Sequence, residues 1–229
     1  MIPNNHRTCI LLCGGLSKRM GQDKGSMIIH SKPMIMYILK TLNYEIDEVI
    51  IVLNDRERIL KYESMIDYYH CEKFSYKIIF VEDEFKDKGP LSGIMTGLKN
   101  ANSSYCLVIP CDSPYITKEY VNSIFKIKNK IKKDFDALIP YHNDKESLID
   151  ESLHINDKNF KLKLIEPLHG IYNKNIIDQM QKNIENNKLD IKSIIKHSNA
   201  YFINTKNFDE INFQNINCPC DLNNIQIYR

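Results

Sequence analysis

A pair of glycines and three basic side chains follow a short apolar run near the amino terminus, in the sequence ILLCGGLSKRMGQDKG over residues 10–25. Gly14 and Gly15 let the chain turn closely around a ligand and present backbone N–H groups to it. The basic side chains add positive charge, and an arginine can bind two phosphate oxygens at once. This combination predicts a cradle for a polyphosphate rather than a turn with solvated charges. The basic residues are Lys18, Arg19 and Lys24.

Two common phosphate-binding motifs do not fit this stretch. A Walker A loop requires Gly-x4-Gly-Lys followed by Ser or Thr, but here Gly21 is followed by Gln22. The dinucleotide fingerprint Gly-x-Gly-x-x-Gly also fails, because the second glycine is displaced. P-loop kinases and NAD(P)-dependent enzymes are therefore disfavoured.

A single carboxylate follows another apolar run, in the sequence LVIPCDSPYI. Asp112 lies between Pro110 and Pro114, which makes its loop rigid. Mg2+ commonly binds one or two carboxylates together with phosphate oxygens, so this residue is a candidate metal ligand. The alternative is a turn or capping aspartate ahead of the next helix.

An acidic loop, VEDEFKDKGPLSG over residues 81–93, leads into a Gly-Pro pair at a predicted helix start. Acidic loops are usually solvated. At the carboxyl end of a strand, however, one carboxylate or the Gly-Pro-Leu backbone could recognise a base or a sugar. The acidic residues are Glu82, Asp83, Glu84 and Asp87.

The elements that must position these residues are apolar runs of strand length that alternate with segments of helical period. This alternation predicts an α/β fold with a doubly wound, mostly parallel sheet in a three-layer αβα sandwich. Such sheets bind ligands at the carboxyl ends of their strands, where all three motifs fall. The predicted strands are Thr8–Leu12, Glu48–Leu53, Lys77–Val81, Tyr105–Ile109, Ala137–Ile139 and Ala200–Ile203, with strand character over Ile165–Tyr172.

The predicted helices fill the intervals between these strands. The first is opened by Pro33 with Ser31 as its cap, and apolar residues recur every four positions after it. The polar stretch over residues 141–163 is interpreted as a long loop or an excursion from the sheet. The remaining predicted helices are 56–68, 91–101, 117–130, 173–187, 190–197 and a short terminal helix after Pro219.

Composition limits the class of protein. A chain of 229 residues with 43% hydrophobic content suits one domain over residues 1–229, with one core. A net charge of +2 indicates neither a nucleic-acid platform nor a membrane-attracted surface. No apolar run approaches the roughly 18 residues of a spanning helix, and no signal pattern is visible, so a cytoplasmic location is expected. The seven scattered cysteines are interpreted as reduced thiols, and CPC at 218–220 lacks a second pair for zinc.

These motifs, in this order, closely resemble the molybdenum cofactor guanylyltransferases, a family of nucleotidyltransferases with a Rossmann-like fold. The family's first motif, Leu-Ala-Gly-Gly-x3-Arg-Met-Gly-x-Asp-Lys-Gly, is matched from Leu12 to Gly25, with Cys13 in place of the usual Ala. The sequence EPLHGIY resembles a strand in the second half of the family. FQNINCPCDL resembles its closing motif, Asn-x-Asn-Thr-Pro-Glu-Asp-Leu. The stretch over residues 141–163 is the least matched part.

The resemblance implies transfer of GMP from GTP to molybdopterin carrying molybdenum, with release of pyrophosphate and a requirement for Mg2+. It implies that residues 1–115 bind GTP and Mg2+ and that residues 116–229 bind the acceptor. Partners would be GTP, the molybdenum cofactor and other cofactor-biosynthesis proteins, without nucleic acid or membrane. The implied nucleotide-binding residues are Leu12, Cys13, Gly14, Gly15, Lys24, Asn54, Asp83 and Asp112. The implied catalytic residues are Arg19, Lys24 and Asp112, with Asp112 as metal ligand and Asn217 in support.

Two alternatives are kept. One is a related nucleotidyltransferase that uses CTP or a different phosphorylated acceptor. The other is a non-catalytic GTP-binding module that retains the fold. His169, on an apolar stretch, is interpreted as structural or facing the acceptor, not as a catalytic base.

Overall fold

A seven-stranded sheet forms the centre of the computed structural model, which describes residues 6–14, 23–69, 73–142, 164–217 and 221. A separate two-stranded hairpin, β2 and β3, lies outside it. In chain order the strands are β1 (Thr8–Leu12), β2 (Ile28–Ile29), β3 (Lys32–Pro33), β4 (Glu48–Leu53), β5 (Lys77–Glu82), β6 (Tyr105–Pro110), β7 (Ala137–Tyr141), β8 (Ile171–Asn173) and β9 (Ala200–Asn204).

Helices connect most of these strands. Each helix packs an apolar face against the sheet, and this packing provides most of the stability of the helix. In chain order they are α1 (Met34–Leu42), α2 (Arg56–Tyr69), α3 (Pro90–Asn100), α4 (Lys118–Lys130), α5 (Ile177–Glu185) and α6 (Ile191–Lys196).

The strand order is β5-β4-β1-β6-β8-β7-β9. β5, β4, β1 and β6 are mutually parallel, and β7 is parallel to β9. β8 is antiparallel to both of its neighbours, β6 and β7. The prediction of a mostly parallel sheet is therefore confirmed. The chain passes from β1 to β4 on one side, whereas β6 lies on the other, so a topological switch point falls between β1 and β6.

The core lies on both faces of the sheet. Along β4, Ile51 packs into the layer that contains α1, α2 and α4, while its neighbour Ile50 packs into the layer that contains α3, α5 and α6. β4 is buried along its whole length, which is why it reads as a nearly continuous apolar run. These two cores establish the predicted three-layer arrangement.

The start of α1 differs from the prediction. Ser31 does not cap the helix, because it lies in the turn of the β2–β3 hairpin with a φ of 72°. Pro33 belongs to β3 and pairs with Ile28, and Met34 N donates to Met27 O at 2.8 Å to close the hairpin. Two-residue strands are too short for a periodicity to predict, so the Lys-Pro pair was interpreted as a helix start.

The segment after residue 164 also departs from the predicted strand over Ile165–Tyr172. Ile165 forms only an isolated bridge with Tyr141, and a 3-10 turn over Pro167–His169 precedes β8. Pro167 has no N–H to donate, so a continuous ladder cannot form there. The predicted helix over 173–187 likewise begins only at Ile177, after a second 3-10 turn.

Two predicted features lie outside the described residues: most of the polar stretch over 141–163 and the short terminal helix after Pro219. Within the described residues, no helix combines the length and apolar character needed to cross a bilayer. The division into a nucleotide half and an acceptor half stays a prediction.

Candidate functional site

The carboxyl ends of β1 and β6 lie side by side at the switch point, with Leu12 opposite Pro110 in the parallel register. Cys111 N donates to Leu12 O at 3.1 Å, which continues the pairing beyond the strands. The glycine motif after β1 and the Asp112 loop after β6 therefore begin next to each other. This arrangement brings together two motifs that are about a hundred residues apart in sequence.

An amine, a carboxylate and an amide oxygen meet at this point. Lys24 Nζ lies 2.7 Å from Asp112 Oδ2 and 2.8 Å from Asn217 Oδ1. The side chains of Lys24 and Asp112 are 19% and 17% exposed, so the pair is shielded but open to a ligand. A cation beside two hard oxygen ligands is suited to phosphate charge.

Lys24 is held in place through its neighbours. It begins a 3-10 turn over Lys24–Ser26, and the hydroxyl of the buried Tyr62 on α2 donates to Asp23 Oδ1 at 2.8 Å. A Cβ added at Gly25 would lie 2.3 Å from the Tyr62 hydroxyl oxygen and 3.3 Å from Cys111 Cβ. Only glycine allows the backbone to pass this close, so the turn is anchored to α2.

The first residues of the glycine motif meet the end of β4. Cys13 N donates to Val52 O at 2.9 Å, and Cys13 is fully buried. A Cβ added at Gly14 would lie 2.3 Å from Asn54 Oδ1, so the Asn54 side chain lies directly against the Gly14 backbone. Burial, reinforced by Cys111 beside it, raises the pKa of the Cys13 thiol, which keeps it protonated.

Asp83 lies at the end of β5, separated from β1 by β4. Its Oδ1 accepts hydrogen bonds from the Ser92 hydroxyl, from Thr96 Oγ1 at 3.1 Å and from Phe85 N at 3.3 Å. Burial raises the pKa of the Asp83 carboxyl, and the hydrogen bonds from Ser92, Phe85 and Thr96 offset this only in part. Asp83 therefore anchors the start of α3, where Gly89 at a φ of 70° provides no side-chain cap.

The sequence model of the MobA-like NTP transferase domain matches residues 9–201, which is most of the chain. The chain belongs to this family. Its fold is thus that of a MobA-like nucleotidyltransferase.

Individual relatives agree with this placement. A probable molybdenum cofactor guanylyltransferase of Clostridium perfringens (strain SM101) is 31% identical over 92% of this chain and 91% of its own length. A protein of the same description from Geobacillus sp. (strain WCH70) is 27% identical over 96% of this chain and 98% of its own. Molybdopterin-guanine dinucleotide biosynthesis protein A from Archaeoglobus fulgidus shares the fold, with a TM-score of 0.69 at 24% identity over 94% of this chain and 95% of that one.

The predicted site residues that the structure describes form two groups, and Asp83 lies apart from both. Lys24 and Asp112 form one group, together with Asn217. Asp83 lies apart at the end of β5. Gly15 and Arg19 lie outside the described residues, so their predicted roles stay predictions. The other group, at the ends of β1 and β4, consists of Leu12, Cys13, Gly14 and Asn54.

Sequence reasoning missed the residues that support this MobA-like site from behind. Tyr62 belongs to the apolar stripe of α2, and nothing in that pattern indicates that its hydroxyl reaches Asp23. Ser113 follows Asp112 directly, and Asn215 belongs to the Asn-x-Asn motif. Their mutual hydrogen bond at 2.5 Å joins two distant loops, and only the fold reveals it.

His169, interpreted from sequence as structural or facing the acceptor, is structural in this MobA-like chain. It is 1% exposed, and its Nε2 lies 3.0 Å from Ser113 Oγ. Glu166 lies between this ring and His142, whose Nε2 is 2.8 Å from Glu166 Oε1. Burial alone would raise the pKa of Glu166, but the two histidines reverse this and hold its pKa below the ordinary value.

The described cysteines fit the prediction of reduced thiols. All four described cysteines are buried and free. Cys71, Cys218 and Cys220 lie outside the described residues. In the part of the chain that the structure describes, no group of three or more His, Cys, Asp and Glu side chains could hold a metal ion.

Proposed function

We propose that this MobA-like nucleotidyltransferase transfers GMP from GTP to the phosphate of molybdopterin carrying molybdenum, with release of pyrophosphate. The observation that carries the proposal is the meeting of Lys24 with Asp112 and Asn217 at the switch point. The relatives named as molybdenum cofactor guanylyltransferases support the choice of substrates.

The reaction needs only positioning and charge neutralisation. An oxygen of the acceptor phosphate attacks the α-phosphorus of GTP, a new P–O–P bond forms, and the bond to pyrophosphate breaks. The acceptor phosphate is already ionised, so neither a protein nucleophile nor a strong base is required. Lys24 stabilises negative charge that develops on the transferred phosphoryl group, and orientation alone can supply up to roughly 7–11 kcal/mol.

The donor set fits Mg2+. Asp112 offers a carboxylate and Asn217 an amide oxygen, and Mg2+ prefers such hard oxygens together with substrate phosphates and water. Mg2+ bound there would neutralise triphosphate charge and assist departure of pyrophosphate. Lys24, already paired with Asp112 at 2.7 Å, holds that carboxylate in place at the switch point.

The topology supports a placement of the remaining parts of the substrates. Leu12, Cys13, Gly14 and Asn54, at the ends of β1 and β4, would line the nucleotide. The guanosine end would lie toward Asp83, at the end of β5 on the same sheet edge. The acceptor would bind on the second half, beside Asn217. Because His169 is buried, it would influence the acceptor only through its neighbours.

The test is acceptor-dependent release of pyrophosphate. Purified protein with Mg2+ and molybdate-loaded molybdopterin is given GTP, CTP, ATP or UTP in turn, with acceptor omitted as the control. We expect release with GTP alone. Release with CTP instead would overturn the nucleotide assignment, and silence with all four nucleotides from folded protein would overturn the enzyme assignment for this acceptor.

A further inference from the structure

A serine, a histidine and a carboxylate lie in line next to the phosphate site, in the arrangement of a catalytic triad. Ser113 Oγ is 3.0 Å from His169 Nε2, and His169 Nδ1 is 3.7 Å from Glu166 Oε2. Ser113 is fully buried, however, and its hydroxyl donates to Asn215 Oδ1 at 2.5 Å. A hydroxyl that substrate cannot reach is not a nucleophile. These side chains therefore have another role, which is to fix a neighbouring segment of the chain in place.

Ser113 and its neighbours hold the segment over residues 214–217, which we name the closing strap. Ile216 N donates to Asp112 O at 2.8 Å, and Asn215 Oδ1 accepts from Ser113. The next residue of the strap, Asn217, accepts from Lys24 Nζ. Consecutive residues of the strap thus contact consecutive residues of the Asp112 loop before reaching the lysine.

The residues ahead of the strap are anchored as well. Asn212 Oδ1 accepts from Thr117 N at 2.8 Å and from Thr117 Oγ1 at 2.9 Å, at the start of α4. The ring of Phe213 packs edge-to-face on His169, with 5.5 Å between the ring centroids. His169 therefore contacts both the residue before the strap and, through Ser113, the strap itself.

The hydrogen bonds of Ser113 explain why a histidine stands at position 169. A serine hydroxyl has one proton, and here that proton goes to Asn215. With the hydroxyl proton assigned to Asn215, the ring N–H at His169 Nε2 is assigned as the donor to Ser113 Oγ, and this bond fixes the direction of the hydroxyl. Without the ring, Ser113 could rotate its proton away from Asn215.

We propose that Ser113, His169 and Asn215 are positioning residues that hold the closing strap, and that the strap holds Lys24 in the orientation that phosphoryl transfer needs. This inference rests on the proposed function. A lysine amine is a point charge on a flexible stem, so its value in the transition state depends on what fixes it beforehand. The bond from Ser113 to Asn215 contributes to that restraint, together with the bonds from Ile216 N to Asp112 O and from Asn217 N to Asp221 Oδ2.

The kinetic test is a double-mutant cycle. We expect Ser113→Ala and Asn215→Ala each to lower kcat about tenfold, and the double variant to lose no more than either alone. The Kd for GTP, measured without acceptor, should change by less than about threefold, because a mobile lysine can still reach a ground-state phosphate. Losses that multiply to about a hundredfold would overturn the shared route through Ser113.

A matched control comes from the same region. The buried Tyr172 donates to Pro167 O at 2.7 Å, so Tyr172→Phe removes one hydroxyl hydrogen bond without touching the strap. We expect its kcat to equal that of the wild-type protein, and an equal fall would overturn the specific role of Ser113. His169→Gln, which keeps an N–H donor, should retain more activity than His169→Leu and serves where the leucine variant does not fold.

A second measurement does not depend on turnover. Amide hydrogen exchange in peptides covering residues 214–217 should be about tenfold faster in Ser113→Ala than in the wild-type protein and unchanged in Tyr172→Phe. Unchanged exchange in Ser113→Ala would overturn the positioning itself, and faster exchange with unchanged kcat would overturn its role in catalysis. Absence of wild-type turnover would count against the proposed function, and the exchange result would still decide whether Ser113 holds the strap.

Discussion

At the scale of single residues, one amine donates hydrogen bonds to two side-chain oxygens. Lys24 Nζ is shared between Asp112 and Asn217, at 2.7 and 2.8 Å. Such a group pairs with a partly exposed carboxylate in the free protein, and under the proposed function it would also neutralise phosphate charge. Lys24 forms no covalent bond in the proposed reaction, so its contribution depends on its charge and its position.

Removing either charged partner should abolish turnover without unfolding the protein. We expect Asp112→Ala and Lys24→Ala to lower kcat by roughly 10²–10³-fold, because each deletes a charge that acts on phosphate. Pyrophosphate release and a thermal melt measure the two effects. The control is Lys86→Ala, which removes an exposed ion pair with Glu82 at 2.8 Å. Retained GTP-dependent activity in Asp112→Ala would contradict the metal role.

The hydroxyl of Tyr62 should affect both stability and turnover. Tyr62→Phe removes the hydrogen bond to Asp23, which we expect to cost about 1 kcal/mol in the free energy of unfolding and to lower kcat/KM several-fold. Tyr76→Phe is the matched control, since this buried tyrosine donates to Leu39 O at 2.8 Å away from the site. Equal kinetic effects in the two variants would show that the loss is general.

At the scale of elements, α3 depends on a carboxylate from a neighbouring strand end. Gly89 offers no side-chain cap, and Asp83 instead fixes the first turns through Ser92 and Thr96. The acidic loop after β5 is therefore not merely solvated, as one reading of the sequence allowed. The carboxylate of Asp83 is buried and accepts hydrogen bonds from two residues of α3.

This burial gives a pH dependence of defined sign. The pKa of Asp83 is raised in the folded state, so the folded protein binds more protons than the unfolded chain between the two pKa values. The contribution of Asp83 to stability is therefore greatest below its unfolded pKa of about 4 and is lost as the pH rises through the folded pKa.

Asp83→Asn keeps an oxygen acceptor for Ser92 and Thr96 but cannot ionise. Urea unfolding from about pH 4 to pH 7 should show the variant gaining stability relative to the wild-type protein as the pH rises. A difference that stays constant across this range would contradict the assignment of the shift to Asp83.

The elements show where prediction from sequence stops. The predictions of β1, β4 and α4 are correct to within about a residue, because long apolar runs and an apolar stripe of helical period are local signals. The β2–β3 hairpin was missed since its strands have two residues each. β8 was predicted too long, because Pro167 interrupts an apolar stretch that periodicity alone reads as continuous.

At the scale of the whole molecule, the site joins loops that lie far apart in the chain. Lys24 and Asp112 were predictable as neighbours, because both follow strands that end at the same sheet edge. The roles of Tyr62 and His169 were not predictable, because a hydroxyl or ring contact across the core produces no periodic pattern in the sequence. Packing decides those contacts, and packing depends on the complete fold.

His142 and Leu164, which flank the undescribed part of the predicted excursion over residues 141–163, lie next to each other. His142 N donates to Leu164 O at 2.9 Å, and Glu166 N donates to Pro140 O at 2.9 Å. The flanking residues thus form an antiparallel stem, which is also joined by the His142–Glu166 pair. A short turn can bridge such a stem without disturbing the sheet.

Deleting residues 144–160 should therefore leave a folded protein that has lost part of its acceptor site. We expect the KM for molybdopterin to rise about tenfold or more, while the Kd for GTP stays within about twofold. Steady-state kinetics with varied acceptor and equilibrium GTP binding measure the two constants. An unchanged acceptor KM would show that the excursion does not contact the acceptor.

The bond from Lys24 to Asn217 spans 193 positions of the sequence. A chain emerging from the ribosome therefore holds β1, β4 and β6 long before the last oxygen of its phosphate site exists. Partly synthesised chains can form the parallel strands and bury their apolar faces. They cannot restrain the lysine until Asn217 has been synthesised and its side chain has reached Lys24.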